Sequence, residues 1–198
     1  MIVFGITGGT GCGKTTALNS LAQRGAYLID CDAVYHRLLE TSQGLLDALN
    51  ARFPGVVTDG VLDRKKLGSI VFADPAELED LNHLILPFVL EGVADELEQA
   101  AAQGAPIAAI DAIGLIESGF SGYCDRTIAV VAPTQARVQR LMAREGITEE
   151  YAMLRINAQK TNEEFSAMCD ETLMNDCPDA AAFADRCDAL FDRLLEEC

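Results

Sequence analysis

Two hydrophobic periods alternate along the chain. Ile2-Val3-Phe4-Gly5-Ile6 is a continuous apolar run, the pattern of a strand buried on both faces of a parallel sheet, and residues 14–23 follow with Leu18, Leu21 and Ala22 on one helical face. Ala26-Tyr27-Leu28-Ile29 predicts a second strand, ending at Asp30-Cys31-Asp32, before a helix over 33–40. Residues 41–104 are then rich in helical patterns and poor in strand patterns. Leu45, Leu46 and Leu49 mark one helix, Leu67, Ile70 and Val71 another, and residues 84–103 a longer one. Pro54-Gly55, Asp59-Gly60 and Asp74-Pro75 punctuate this stretch. Strands resume at 106–111 and 126–131, helices at 134–145 and 148–160 follow with Gly146 between them, a short strand is expected at 172–174, and a last helix at 178–197. Such alternation predicts an α/β fold with a parallel sheet, helices on both faces and ligands at the C-terminal strand ends. The helical stretch reads as an insertion into one domain.

Between the first strand and its helix stands Gly8-Gly9-Thr10-Gly11-Cys12-Gly13-Lys14-Thr15, a full G-x-x-x-x-G-K-S/T phosphate loop in its proper context. Glycines let the backbone curl with successive N–H groups turned inward, and the helix N-terminus adds partial positive charge. Lys14 is expected to reach the β- and γ-phosphates and the Thr15 hydroxyl to hold Mg²⁺. The chain is therefore expected to bind a nucleoside triphosphate.

Charge narrows the class. The formal net charge of −16 opposes nucleic-acid binding. Five of the 15 Lys and Arg (Arg137, Arg140, Arg144, Arg155, Lys160) nonetheless fall between 137 and 160. No apolar run approaches the ~20 residues of a membrane span, and no signal peptide is expected. Seven cysteines at 12, 31, 124, 169, 177, 187 and 198, with no C-x-x-C pair and only two His, predict free thiols in a reducing cytoplasm and no zinc site. Cys12 reads as a small loop residue, with oxidation sensitivity as the alternative.

Candidate chemistry lies at three further places. Asp30 and Asp32 leave a strand end on the same side, where one carboxylate could align and deprotonate an acceptor hydroxyl; Asp32 as N-cap to the helix expected from residue 33 is the competing reading, and a cap and a base could also fall one to each Asp. Asp111 ends an apolar strand, with either a metal-shell or a structural role, and Glu117 is a second carboxylate of that sort. Arg137, Arg140 and Arg144 share a helix face and lack i, i+4 acidic partners within the stripe, which favours an external anion over a solvated charge stripe.

Taken together, the chain resembles the dephospho-coenzyme A kinases along nearly its full length. Gly5-Ile6-Thr7-Gly8-Gly9-Thr10-Gly11-Cys12-Gly13-Lys14-Thr15-Thr16 is similar to the family's opening, Asp30-Cys31-Asp32 with His36 to its D-A-D segment, and Leu62-Asp63-Arg64 with Val71-Phe72-Ala73-Asp74 to its L-x-R and V-F-x-D passage. Arg140, Arg144, Arg155 and Gln159 fall on its R-x-x-x-R and R-I-x-x-Q, and Asn175-Asp176 on the pair after its last strand. Leu86-Pro87 stands where His-Pro is common, Asp111–Glu117 lacks a usual Pro, and Cys169-Asp170 replaces Ala-Asp.

The resemblance implies a three-layer P-loop NTPase core (about 1–40, 105–133 and 170–198), a helical acceptor-binding insertion (about 41–104) and a helical lid (about 134–165). It implies transfer from ATP, with Mg²⁺, to the ribose 3′-hydroxyl of dephospho-coenzyme A. Asp32 would be the base, Lys14, Arg140 and Arg144 would act at the transferred group, and Gly11, Cys12, Gly13, Lys14, Thr15, Thr16 and Asn175 would hold the nucleotide. Asp32, His36, Arg64, Asp111 and Glu117 fall to the acceptor. A kinase for another nucleoside or nucleotide, and a nucleotide-dependent switch, are the rival readings; neither N-K-x-D nor a D-x-x-G after a strand is present to support the switch.

Overall fold

A computed structural model describes residues 1–197; Cys198 lies outside the described residues. The elements, in chain order, are β1 (Ile2–Thr7), α1 (Lys14–Gln23), β2 (Ala26–Asp30), α2 (Cys31–Thr41), α3 (Gln43–Arg52), β3 (Val57–Thr58), β4 (Val61–Leu62), α4 (Arg64–Val71), α5 (Pro75–Ala102), β5 (Ile107–Asp111), β6 (Arg126–Val131), α6 (Thr134–Glu145), α7 (Glu149–Asn157), α8 (Asn162–Met168), β7 (Glu171–Met174) and α9 (Ala180–Glu196). They form two compact units, Met1–Ile29 with the chain from Ala100 onward, and Asp30–Gln99.

The first unit is built on a five-stranded sheet of order β2-β5-β1-β6-β7. β1 pairs in parallel with both β5 and β6, and β6 pairs in parallel with β7. The chain moves to opposite sides of β1 as it proceeds, which makes the C-terminal end of β1 a topological switch point. Period-two alternation assigns the faces of β1. Phe4 and Ile6 pack with Leu21 of α1 and Phe183, Phe191 and Leu194 of α9 in one buried cluster. On other strands, Ala129 and Val131 of β6 pack with Phe165 of α8 in a separate cluster. At Gly5 a Cβ would lie 2.7 Å from both Leu115 Cδ2 and Cys124 Sγ, so the segment after β5 lies directly on the strand.

The second unit carries its own core of Leu39, Leu45, Leu49, Phe53, Val56, Leu67, Val71 and Leu81. Its helices start on side-chain caps: Ser42 accepts from Leu45 N and Asp63 from Lys66 N. α5 is longer than the sequence pattern predicts, beginning at Pro75 with Asp74 accepting from Ala76 N, and it runs through Pro87. Proline suits a first helical position, which explains the start. A short β3–β4 hairpin interrupts a stretch expected to be poor in strands; Asp59 and Gly60 take φ of 51° and 76°, the two left-handed residues of a tight hairpin turn.

The residues expected as one helix over 148–160 form α7 only as far as Asn157. A new helix, α8, then starts on a capping box in which Thr161 and Glu164 each accept from the other's backbone N–H. Phe191 is fully buried, with its ring 5.7 Å from that of Phe4. Phe191→Ala should remove about 3–5 kcal/mol of stability, measured by urea denaturation; a loss below about 1 kcal/mol would mean that the α9 face of the sheet is not the main core.

Candidate active site

β1 ends at Thr7, whose hydroxyl donates to the Ile113 carbonyl (2.8 Å). The loop that follows is possible only with glycine at its tightest points. A Cβ at Gly8 (φ 140°) would lie 2.1 Å from the Val130 carbonyl oxygen, and one at Gly13 (φ 107°) 2.5 Å from Asn175 Nδ2. Gly13 is also the N-cap of α1, and no side chain caps that helix. Thr16 N turns back to the Gly13 carbonyl (2.9 Å), and the uncapped Lys14 and Thr15 amides suit an anionic ligand. A cleft of about 280 Å³ opens there, lined by Gly11, Gly13, Lys14, Thr15, Arg140 and Arg144 among others. Lys14 Nζ donates to the Gly8 carbonyl (3.2 Å) and stands 3.8 Å from Asp111 Oδ1, so the strand-end carboxylate holds the ammonium at the loop.

Side chains from three segments grip the loop. Arg137 Nε donates to the Thr10 carbonyl (2.9 Å), Arg140 Nη1 to the Gly11 carbonyl (3.1 Å) and Asn175 Nδ2 to the Cys12 carbonyl (2.8 Å). Gln159 Oε1 accepts from both Thr10 N (2.8 Å) and Arg137 Nη2 (3.1 Å). Asn175, expected near the nucleotide base, is buried, and its Oδ1 accepts from Arg140 Nη2 (3.0 Å). Both ends of its amide are thus engaged in bracing the loop.

The arginine stripe does share one face, but its members differ. Arg137 is buried against the loop, Arg140 lines the cleft, and Arg144 is exposed and paired with Glu145 (2.5 Å). No arginine of the stripe has an i, i+4 acidic partner within it, but Arg144 is engaged by Glu145, the residue just beyond the stripe. Arg155 also pairs with Glu145, and the two guanidinium groups, Arg144 first, hold its carboxyl below the ordinary range.

Glu117 pairs with Lys160, and Thr15 is exposed while Thr16 is half-buried. Cys12 is fully buried, and loss of hydration pushes its thiol pKa up despite the nearby Arg137 and Lys14 charges. None of the six described cysteines forms a disulfide, and among the described residues no His/Cys/Asp/Glu cluster could hold a metal.

In the second unit the two candidate aspartates separate cleanly. Asp30 is the N-cap of α2, its Oδ1 accepting from Asp32 N (2.9 Å) and Ala33 N (3.2 Å). Asp32 lies in the first turn with an exposed side chain that has no partner among the described residues. Its carboxylate is left for other work. His36 is exposed, its ring 5.6 Å from that of Tyr35, and both border, with Arg64, a small cleft of about 170 Å³ walled by Leu39, Leu67 and Val71. The residues that sequence reasoning missed are braces: the Thr7 hydroxyl and the buried role of Arg137. No local pattern signals a contact between residues 127 positions apart.

A glycine cradle at the head of the central strand of a parallel sheet, with a lysine and an arginine-bearing helix facing it, defines a P-loop kinase. The fold agrees with that of a shikimate kinase from Bacteroides thetaiotaomicron (TM-score 0.58, 13% identity, 98% of each chain). A protein described as TT1252 from Thermus thermophilus superposes with a TM-score of 0.79 at 33% identity over 98% of this chain and 97% of that one. The dephospho-CoA kinase family model matches residues 2–180. Relatives of that name include one from Latilactobacillus sakei, 38% identical over 79% of this chain and 78% of its own, and one from Burkholderia lata, 33% identical over 98% and 96%. The chain belongs to the dephospho-CoA kinase family, ATP-dependent phosphotransferases that carry out the last step of coenzyme A biosynthesis.

The buried thiol generates a test. With its pKa raised, Cys12 should be almost wholly protonated at pH 8 and should resist iodoacetamide in the native protein, then react on unfolding in guanidinium, as read by peptide mass spectrometry. Rapid native alkylation of Cys12 would overturn the inert-thiol assignment.

Proposed function

We propose that this chain moves the γ-phosphoryl group of ATP to the ribose 3′-hydroxyl of dephospho-coenzyme A, with Asp32 as the base. The observation that carries the base assignment is the division of labour at the start of α2, where Asp30 caps the helix and Asp32 keeps an unengaged carboxylate. The hydroxyl oxygen attacks the γ-phosphorus, the bond from that phosphorus to the β,γ-bridging oxygen breaks, and the hydroxyl proton passes to Asp32. ADP leaves, and coenzyme A carries the new 3′-phosphate.

The chain's own groups have distinct tasks in this reading. Loop amides and Lys14 hold the β- and γ-phosphates, while Arg140 and Arg144 offset charge on the transferring group. The exposed Thr15 hydroxyl in the phosphate cleft is a hard-oxygen donor that would suit Mg²⁺ better than a softer metal, and the ion held there would supply neutralisation of phosphate charge. Arg64 and His36, beside their small cleft, are assigned to the acceptor, as are Asp111 and Glu117. Residues 41–104 are assigned to acceptor binding, and residues 134–165 to a lid whose closure excludes water. A cytoplasmic location suits the free thiols and the net charge of −16. No described helix is long and apolar enough to cross a membrane.

ADP release should require ATP, Mg²⁺ and dephospho-coenzyme A together, and nucleosides offered in its place should not support it; turnover independent of dephospho-coenzyme A would sink the assignment. Asp32→Asn should lower kcat by roughly two orders of magnitude or more while ATP affinity changes only a few-fold. Asp30→Ala should instead lower stability by about 1 kcal/mol. If Asp32→Asn keeps a near-normal kcat, the carboxylate is not the base.

A further inference from the structure

Arg137 is the anomaly among the basic residues. Its residue exposure is 2%, yet among the described residues it forms no ion pair. Arg24, by contrast, is half-buried and meets two carboxylates, Asp188 and Asp192. The hydrogen-bond partners of Arg137 are all neutral: the Thr10 carbonyl and the Gln159 amide oxygen. A cavity of about 280 Å³ beside it is bordered by Thr134, Asn157 and Asn162 and also by Lys160 and Glu163, and the Glu163 carboxylate lines it without forming an ion pair with Arg137. Burying a guanidinium without a counter-charge costs several kcal/mol, and a chain with 31 acidic residues had many available partners.

The location of the charge accounts for its lack of a partner. A Cβ on Gly9 would stand 2.3 Å from Arg137 Nη2, so the guanidinium lies flat against the phosphate loop. Gln159 sets its orientation by accepting from Nη2 while also accepting from Thr10 N, so that one loop residue is held by both its carbonyl and its amide. A carboxylate placed here would neutralise the loop from behind and repel the ligand's phosphates.

We propose that Arg137 is a positioning residue for ATP: oriented by Gln159, it supplies an uncompensated positive charge behind the phosphate loop whose counter-ion is the bound triphosphate. It touches the loop and not the substrate, and it acts through the field and through the fixed geometry of Thr10. This inference rests on the ATP-binding reading of the loop and is independent of which acceptor the enzyme uses.

The test separates charge from shape. Arg137→Gln keeps a donor and removes the charge, Arg137→Met keeps bulk alone, and Arg137→Lys keeps the charge. ATP affinity is measured by calorimetry without any acceptor, beside the melting temperature with and without ATP, and kcat and KM for ATP at saturating dephospho-coenzyme A. Arg137→Gln and Arg137→Met should weaken ATP by roughly ten-fold, raise KM for ATP in step, and leave kcat within about three-fold. Arg137→Lys should recover more than half of that loss on a logarithmic scale.

The apoprotein of Arg137→Gln should melt no lower than the parent, because an unpaired buried charge has been removed, while its ATP-induced rise in melting temperature shrinks. A purely structural brace predicts the reverse, a lower apo melting temperature with ATP affinity unchanged. Loss of ATP affinity below about three-fold in Arg137→Gln, or a lysine variant as weak as the glutamine one, overturns the proposal. Should Arg137→Met fail to fold, the glutamine and lysine variants decide it. Failure of turnover with dephospho-coenzyme A would count against the acceptor assignment and leave the ATP titrations interpretable.

Discussion

The structure depends on holding a backbone curve that glycine permits and does not enforce. Glycines make the phosphate loop accessible to left-handed φ, but they also give it the most freedom to lose. The constraint comes from outside the loop. The carbonyls of three successive residues, Thr10, Gly11 and Cys12, each accept from a side chain: Arg137, Arg140 and Asn175. Fixing the carbonyls fixes the peptide planes. The amides at the start of α1, where Gly13 cannot cap, then remain for an anion. Much of the first unit supplies these braces: β6 gives the Val130 carbonyl that excludes a Cβ at Gly8, α6 gives the arginines, and Asn175 follows β7 directly.

The same contacts decide the electrostatics. In a chain of net charge −16, most arginines meet a carboxylate, and the two that brace the loop, Arg137 and Arg140, do not. Lys14 has Asp111 at 3.8 Å, a longer contact than the direct ion pairs elsewhere. Arg137 and Arg140 thus bring positive charge without a carboxylate partner to the loop, where a triphosphate would bring negative charge. Acidity over the remainder keeps the surface from attracting polyanions in general.

What was legible in the sequence was local. The strand, glycine loop and helix at residues 2–23 could be read because each depends on neighbours within a few positions, and the structure follows that reading closely. Asp59-Gly60 signalled a turn, but two-residue strands on either side are too short to show a period of two. Thr161-Asn162-Glu163-Glu164 is a readable capping box, yet the helix it starts, α8, lies beyond the helix expected over 148–160 and was not expected; the continuous polar run from Gln159 obscured it. Spacing made Asp32 the candidate cap of a helix expected from residue 33, but α2 starts two residues earlier, at Cys31, and Asp30 is its cap. Only the direction of one carboxylate, toward two backbone amides, distinguishes them. The braces at Thr10, Gly11 and Cys12 join residues more than 120 positions apart, and helical periodicity showed that Arg137 and Arg140 share a face without showing what that face meets.

The separation between loop and acceptor also explains why the fold alone underdetermines the reaction. A shikimate kinase shares the fold at 13% identity, so the fold by itself does not name the acceptor. The acceptor has to be read from side chains that the donor site does not need. Asp32, Arg64 and His36, which we propose meet the acceptor, lie outside the buried cluster of the second unit, made of leucines, valines and one phenylalanine. Exposed polar side chains on an otherwise apolar scaffold cost little stability to change, so that unit could be altered for a new acceptor while the loop and its braces stayed fixed. Family membership over residues 2–180 spans both units, and it is this joint match, more than the phosphate loop, that ties the donor site to coenzyme A biosynthesis.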